Sequence, residues 1–459
     1  MTEQSMTDPA MTETEIPAQA AMGWDRPRRR THERARPRLR DALPGIATAC
    51  LLALAHVMFA AVNPALALAM SAAFALVAVL AVAIGGQRSV TPGMLIGLAV
   101  LLLYGVTGLA GPLYRAAPHL AVLFAAGSIW TTTYLAARSR GALDSAWIAL
   151  VWASSAYCAW VLVNASSAGI GRPLHPIAAF FETPANAAVM FGLLSLLGAS
   201  RVLHVLKQVD ADALVGLRLV ERLVRDAFGG FILLVLAITC LILADSRPGI
   251  LMTVGVLIGH VWWDTLQITT REHRGRLVRV GVVAAPLAAI VLSASGLALG
   301  LLRDETIPPG IGLTDENPNL QRLNAYTSVW LERPVTGHGL GSSGIAIAPV
   351  QTLDDAKALL APGGTHNMLL AWVVEGGLLG LALLLTALVA AHIAIARTLS
   401  TRRAPRTFAR LAFCASGLLL LHGVTDSALN LPSAIWLYAF ILGAACGLAP
   451  SKRDLAPAA

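Results

Sequence analysis

Three short groups of polar residues lie beside long apolar segments, and each group contains a side chain that could take part in a reaction. The first is the sequence Asp245-Ser246-Arg247-Pro248, which separates two apolar segments. An arginine held at such a turn can bind phosphate oxygens through two parallel hydrogen bonds. A turn between two helices needs polar, helix-breaking residues in any case. Arg247 is therefore a candidate anion ligand, with a structural alternative that stays open.

The second group is a helical stretch that contains Arg322, Tyr326 and Trp330. Side chains four residues apart share one face of a helix, so these three should point the same way. In one interpretation the two aromatic rings only rest at the membrane interface. In the other they anchor the helix while Arg322 points at an anionic ligand. The spacing alone does not distinguish between these two interpretations.

The third group is His366-Asn367, which is followed by Gly377 and Gly380. Histidine is the usual general base near neutral pH, but a lone histidine at a helix start is more often an interfacial residue. His338, in a glycine-rich stretch, is a weaker candidate of the same kind. Glycines three residues apart are common where membrane helices pack closely. That packing role is the one we expect for Gly377 and Gly380.

Long apolar helices must position these groups. Hydrophobic residues make up 56% of the chain and charged residues 13%, whereas a soluble domain has about 25% charged residues. Runs of about 20 apolar residues, enough to cross a hydrocarbon core about 30 Å thick, recur along the chain. The sequence therefore predicts an all-α, polytopic membrane protein with about twelve transmembrane helices. The predicted spans are 44–62, 65–84, 93–111, 119–137, 145–164, 184–203, 227–245, 249–267, 280–301, 367–395, 409–426 and 431–449.

The distribution of positive charge sets the predicted orientation. If the N-terminus is cytoplasmic, most of the 34 lysines and arginines fall on the cytoplasmic side, as the positive-inside rule requires. The same distribution explains the net charge of +8 without nucleic acid as a partner. The residues left on the outward side are Arg115, Arg172, Arg247, Arg303, Arg322, Arg333 and Lys357.

The segments outside the spans also have predicted roles. The segment 204–226 has apolar residues at helical spacing, so we expect an amphipathic helix on the inner leaflet. A loop as long as 303–366 is usually functional or disordered. Residues 319–333 and 351–360 within it are each predicted to be helical and to end before a proline. The predicted layout is a disordered basic cytoplasmic tail at 1–43, nine spans within 44–302, a helical cap at 303–366, three spans within 367–449 and a cytoplasmic C-terminus at 450–459.

Taken in order, the polar groups resemble the O-antigen ligases and related polymerases of bacterial surface polysaccharide. The resemblance covers about residues 184–430. It departs from the family at Asn186, where Thr183-Pro-Ala-Asn186 is a degenerate form of an Asn-Pro-Asn segment. The features that carry it are the Ser246-Arg247 turn, the run from Arg322 through Trp330 and Pro334 to Gly341, and His366-Asn367 with nine residues before Gly377 and two more before Gly380.

The resemblance implies a metal-independent glycosyltransferase of the GT-C type in the bacterial inner membrane. Its donor would be O-antigen on undecaprenyl diphosphate, its acceptor a sugar of the lipid A–core, and its reaction side the periplasm. Arg247 and Arg322 would hold the diphosphate and stabilise the charge that grows on it. His366 would take the proton from the acceptor hydroxyl, so that the anomeric configuration inverts.

The same resemblance extends the predicted substrate-binding set to Asn367, His338 and Arg172. Arg172 lies in the shorter outward loop 165–183. Whether Asp426 joins them is left open. The five cysteines form neither a disulfide framework nor a metal motif, so no cofactor is predicted.

Three alternative functions were weighed. A twelve-span transporter is disfavoured because the candidate charges lie at the outer boundary and because the sequence shows no discontinuous helix at the midplane. A polysaccharide polymerase is disfavoured because such enzymes generally lack the His366 pattern. A protein O-oligosaccharyltransferase usually carries a soluble region after its last span, and here the chain ends soon after residue 449.

Overall fold

The structure is a computed structural model of the 459-residue chain. It describes residues 39–58, 64–85, 92–139, 141–167, 181, 184–211, 217–244, 246–269, 318–346, 367–400, 406–425 and 431–449, which belong to one unit, Pro37–Ala459. Arg172, His366 and Asp426 lie outside these ranges. So do the predicted helix at 351–360, the predicted span at 280–301, most of the predicted tail and the predicted C-terminus beyond 449.

All regular secondary structure in the described ranges is helical, which confirms the all-α class for that part of the chain. The helices are α1 (Leu39–Met58), α2 (Pro64–Gly85), α3 (Pro92–Thr107), the 3-10 turn η1 (Gly108–Ala110), α4 (Leu113–Arg138), α5 (Ala142–Ser167), α6 (Pro184–Ala211), α7 (Leu217–Leu243), α8 (Arg247–Thr269), α9 (Pro318–Glu332), α10 (Ser343–Ala346), α11 (Met368–Ser400), α12 (Thr407–Thr425) and α13 (Pro432–Gly447).

These segments form helices because an apolar medium requires every backbone donor and acceptor to be paired within the segment. Several of their buried hydroxyl groups are also paired within the helix. Thr131 donates to the carbonyl of Gly127, and Ser195 donates to that of Phe191, both at 2.8 Å. A hydroxyl bonded to the carbonyl four residues earlier is satisfied without water.

The helices are long and apolar enough to form a polytopic membrane protein. Six of the described helices contain a segment that meets this requirement by length and composition: Ala65–Gly85, Leu113–Arg138, Ala142–Ala165, Pro184–Gln208, Val220–Leu243 and Met368–Leu399. Shorter apolar helices include Thr407–Gly423 and Pro432–Gly447. Each predicted span within the described ranges lies on a helix, although α6 ends eight residues after its predicted span, α7 begins ten residues before its own, and the structure does not establish the total of twelve.

Helix α6 lies at the centre of the described bundle. Its residues Leu193, Leu194, Leu196 and Leu197 have no exposed surface. It packs against α7, α8 and α12, the helices that carry the chemistry considered below. The helices α7, α8 and α12 are therefore arranged around α6.

The segment 204–226, expected to be one amphipathic surface helix, is divided between two helices in the described structure. Residues 204–211 continue α6, and residues 217–226 begin α7. Val205 is 1% exposed and packs with Ala227, whereas Leu217, Val220 and Val224 are 84%, 54% and 59% exposed. An apolar face at the start of α7 is therefore exposed, and its contact with the inner leaflet stays a prediction.

Helix α11 is interrupted at Gly377, where φ is 61° and ψ is −169°. The expectation that the sequence contains no discontinuous span is therefore wrong, and one argument against a transporter loses its weight. The packing role predicted for Gly380 agrees with the structure, since a Cβ added there would lie 3.3 Å from Oγ1 of Thr107. Gly377 breaks the helix instead.

Candidate functional site

One end of the bundle, which we call the Arg247 end, collects the beginnings of α6, α8 and α11 and the end of α12. At the start of α8, the Oγ of Ser246 accepts a hydrogen bond from the backbone N–H of Gly249 at 3.3 Å. A serine in this position is a preferred helix cap. The cap fixes the point at which Arg247, the first residue of α8, enters the helix.

Gly249 allows three helices to meet beside Arg247. A Cβ added at this glycine would overlap the Cβ of Ala188 on α6 and would lie 3.2 Å from Cε1 of His422 on α12. His422 is 1% exposed. The sequence analysis did not identify it, although a histidine within an otherwise apolar span is itself a signal of function.

The start of α11 lies against the same end of α12. A Cβ added at Gly423 would lie 2.7 Å from the terminal methyl carbon of Met368. The Oδ1 of Asn367 accepts a hydrogen bond from the backbone N–H of Leu370 at 3.0 Å, so Asn367 caps α11. The structure thus brings the first turns of α8 and α11 to the same end of α12.

The break in α11 is filled by the chain that follows α9. In a continuous helix the N–H groups of Leu378 and Leu379 would donate to the carbonyls of Val374 and Glu375. Those two N–H groups donate instead to Pro334 at 2.9 Å and Val335 at 3.1 Å.

The two carbonyls freed by the break are paired with the same segment. Val374 accepts from the N–H of His338 and Glu375 from the N–H of Gly339, both at 2.9 Å. Residues 334–339, which we call the inserted turn, therefore replace two helical hydrogen bonds with four of their own. Irregular backbone is tolerated at membrane depth when protein surrounds it in this way.

His338 has a structural contact in addition to its predicted role in substrate binding. Its Nε2 donates to the backbone carbonyl of Val329 at 2.8 Å. Val329 lies in the last turn of α9, where carbonyls lack partners within the helix. The imidazole thus caps α9, and any contact between His338 and a substrate stays a prediction.

Helix α9 lies at the segment predicted to be helical, and it packs on the first part of α11. Tyr326 and Val329 are buried together with Leu370 and Val374. Because the inserted turn holds the end of α9 near Val374, the helix runs back along α11 from that point. Residue 322 precedes Val329 by seven residues on α9, and Asn367 precedes Val374 by seven residues at the start of α11. Equal numbers of helical residues span equal lengths, so the backbone of residue 322 lies toward Asn367.

The remaining predicted residues are not assembled in the described structure. Arg172, His366 and Asp426 lie outside its ranges, and only the backbone of Arg322 is described. Asn186 donates through Nδ2 to the carbonyl of Phe181 at 3.3 Å and is 9% exposed. In the part of the chain that the structure describes, no three histidine, cysteine, aspartate or glutamate side chains lie close enough to hold a metal ion.

The opposite end of the bundle, which we call the Asp264 end, contains buried charges that the sequence analysis missed. Asp264 of α8 is fully buried and forms ion pairs with Arg410 of α12 and with Nζ of Lys207 of α6, the latter at 2.8 Å. Next to it, Nε2 of His260 lies 2.7 Å from Oγ of Ser200. Asp264 within the predicted span 249–267 was the available signal, because ionised groups at membrane depth are rare.

Comparison with known proteins adds one finding. No curated protein matches the chain. Residues 232–385 match a family model described as O-Antigen ligase. The matched range begins in α7 and ends in α11, so it includes the cap of α8, the whole of α9, the inserted turn and the break at Gly377. This third of the chain is therefore similar to the O-antigen ligase family.

Proposed function

We propose that this protein transfers a glycan from undecaprenyl diphosphate to a sugar of the lipid A–core, on the periplasmic face of the inner membrane. The observation that carries the proposal is that the family match at residues 232–385 contains Arg247, Arg322 and His366, the three residues to which we assign the reaction. The similarity to the O-antigen ligase family supports glycan ligation or polymerisation as the chemistry. Within those limits we favour ligation, by an enzyme of the GT-C type.

The proposed reaction is one displacement. His366 removes the proton from the acceptor hydroxyl, whose oxygen forms a bond to the anomeric carbon of the donor glycan. The bond from that carbon to the diphosphate oxygen breaks, and the diphosphate leaves with the electron pair. Attack from the face opposite the leaving group inverts the anomeric configuration.

The Arg247 end offers what a leaving diphosphate needs. Both α8 and α11 begin there, at Arg247 and Met368. The N-terminus of a helix stabilises a nearby anion by about 0.3 to 1 kcal/mol, and a guanidinium adds charge-assisted hydrogen bonds. Charge that appears only as the bond breaks is stabilised selectively, and that selectivity is what accelerates a reaction.

The proposed position of the base follows from the capping of α11. Because Asn367 caps this helix, His366 is joined directly to its first turn. The direction of α9 brings residue 322 toward the same helix start. We therefore propose that Arg322 and Arg247 approach the diphosphate from two sides, with the acceptor hydroxyl between the diphosphate and His366, and that Asn367, His338 and Arg172 contact the sugars.

The test is lipopolysaccharide analysis in cells that carry His366→Ala, Arg247→Ala or Arg322→Ala. We expect lipid A–core without O-antigen, at normal protein levels, because each variant loses the base or a diphosphate ligand. Arg397→Ala, an exposed charge near the other end of α11, should leave O-antigen unchanged.

The same experiment separates the alternative within the family. A ligase variant should leave long glycan chains attached to the lipid carrier, whereas a polymerase variant should leave single repeats on the core. Single repeats would identify the protein as a polymerase. Normal O-antigen in the His366 variant would exclude that residue as the base.

A further inference from the structure

A pocket unconnected with the proposed reaction lies between α5 and α7, toward the Asp264 end. Its walls include Ile148 and Trp152 of α5, Arg201 of α6, and Arg225, Asp226 and Gly229 of α7. The space measures about 290 Å³ when the open solvent in front of it is included, and it opens on one side to the surroundings of the bundle. The residues of this pocket have no role in the transfer proposed above.

Two consecutive glycines make room for the walls of the pocket. A Cβ added at Gly229 would lie 3.0 Å from Cε2 of Trp152, and one added at Gly230 would lie 2.9 Å from Cβ of Arg201. The indole and the stem of the arginine therefore rest directly on bare backbone of α7. Larger residues at these positions would push both side chains into the space.

A buried guanidinium forms the inner wall. The side chain of Arg201 is 6% exposed and forms an ion pair with Asp144. Its Nε donates to the carbonyl of Asp226 at 3.3 Å, and its guanidinium lies 5.2 Å from the ring centre of Trp147. An arginine carries five N–H donors, and these hydrogen bonds use only part of them.

Positive charge exceeds negative charge around the pocket. Asp226 accepts from Nε of Arg222 and from Nε of Arg225, both at 3.2 Å. Together with Arg201 and Asp144, these residues supply three guanidinium groups against two carboxylates. The side chain of Arg225 is 65% exposed, so the surplus charge lies at the rim.

The outer side of the pocket is apolar. Ile148, Trp152, Phe228 and Phe231 are between 39% and 49% exposed. All four lie on α5 or α7, within segments long and apolar enough to cross a membrane. In a bilayer this strip would face acyl chains, and Arg225, which precedes Phe228 and Phe231 on α7, could extend its guanidinium toward the lipid headgroups.

We propose that the pocket binds the phosphate group of an anionic membrane lipid, with the acyl chains lying along the strip of Ile148, Trp152, Phe228 and Phe231. Arg225 and Arg201 donate to the phosphate oxygens in the manner usual for guanidinium groups. A free phosphate ion would satisfy the arginines but would leave the apolar strip without a partner. The combination therefore selects a lipid as the source of the phosphate.

The test measures lipid-dependent stabilisation of the full-length purified protein in detergent micelles. Phosphatidylglycerol, phosphatidylcholine and inorganic phosphate are titrated separately, and the thermal unfolding midpoint is followed. We expect saturable stabilisation by phosphatidylglycerol only, and an apparent affinity about fivefold weaker in Arg225→Gln, since one basic residue near a membrane surface contributes about that much to binding of an anionic lipid. The apparent affinity of Arg225→Lys for phosphatidylglycerol should lie between those of the unmodified protein and Arg225→Gln.

The matched control is Arg397→Gln, which removes an exposed positive charge elsewhere on the bundle. It should bind phosphatidylglycerol within twofold of the unmodified protein. Equal weakening in both variants would overturn the site in favour of general attraction to the micelle surface. Full stabilisation by inorganic phosphate would overturn the lipid as the ligand. Comparison without lipid verifies that Arg225→Gln is folded.

Discussion

The two ends of the bundle are held together by different kinds of interaction. At the Asp264 end, side chains from α6, α8 and α12 form a buried ionic cluster around one carboxylate. At the Arg247 end, helix caps and the inserted turn use backbone groups and single polar side chains. One end depends on charge and the other on backbone geometry.

This difference suggests how the protein reconciles rigidity with reaction. A buried ion pair cannot separate without exposing an uncompensated charge, which is costly in a medium of low dielectric constant. Hydrogen bonds of caps and turns contribute about 1 kcal/mol each and can exchange with one another. The Asp264 end thus fixes the relative positions of three helices, while the Arg247 end can adjust, as entry and exit of the proposed glycan substrate would require.

The largest expected effect is at the Asp264 end. Asp264→Ala leaves Lys207 and Arg410 facing each other without their shared carboxylate, and we expect destabilisation by about 3 to 5 kcal/mol. The measurement is the unfolding midpoint in detergent together with the amount of protein in the membrane. The triple replacement of Lys207 and Asp264 by leucine and of Arg410 by methionine should recover most of the loss. If Asp264→Ala and the unmodified protein had the same unfolding midpoint, the ionic cluster would not hold the three helices in place at that end.

The next effect is at the break in α11. Gly377→Ala forces a side chain into a left-handed conformation, which costs about 1 to 2 kcal/mol, and the new Cβ overlaps the carbonyl of Val335. We expect loss of O-antigen transfer with partial loss of stability. Gly255→Ala is the control, because no atom lies within 4 Å of its added Cβ. Full activity in Gly377→Ala would show that the inserted turn is unnecessary.

A smaller effect is expected at the cap of α9. His338→Ala removes the donor to the carbonyl of Val329 and should cost about 1 to 2 kcal/mol. His338→Gln keeps a donor on a similar side chain and should retain part of that stability. Thermal unfolding of the two variants compares them directly. Equal loss of transfer in both, at unchanged stability, would favour the substrate contact over the cap.

The smallest expected effect is at the cap of α11. Asn367→Ala should cost about 1 kcal/mol, whereas Asn367→Ser and Asn367→Asp keep an oxygen that can accept from Leu370. If Asn367 acts only as a cap, transfer should follow stability across the three variants. Loss of transfer in Asn367→Ser at normal stability would support the predicted contact with substrate.

The helices were predictable because a membrane span leaves a strong signal in the sequence. Runs of apolar residues located α1 to α8 and α11 to α13, and only the end of α6 and the start of α7 differ by more than six residues, because their charged extensions lack an apolar run. The inserted turn was not predictable, because a glycine that breaks a helix and one that packs against a neighbour look alike in sequence. The two glycines differ in the segment that packs against them, which is the inserted turn at Gly377 and Thr107 of α3 at Gly380.

The cluster at Asp264 was missed for another reason. Asp264 stands 57 residues after Lys207 along the chain and 146 before Arg410, and nothing local indicates that they meet. Lys207 lies outside the predicted spans, and Arg410 is the second residue of the predicted span 409–426. His422 was overlooked similarly, because its neighbour Gly249 belongs to a different helix.

The break at Gly377 gives α11 two ways to satisfy the same four backbone groups. With the inserted turn in place, Val374, Glu375, Leu378 and Leu379 all bond to it. Without the turn, the same groups can pair with each other in a straight helix, since glycine adopts either conformation at little cost. A membrane segment can thus enter the bilayer as an ordinary helix and open only when residues 334–339 dock. Neither form leaves a backbone group unpaired in lipid.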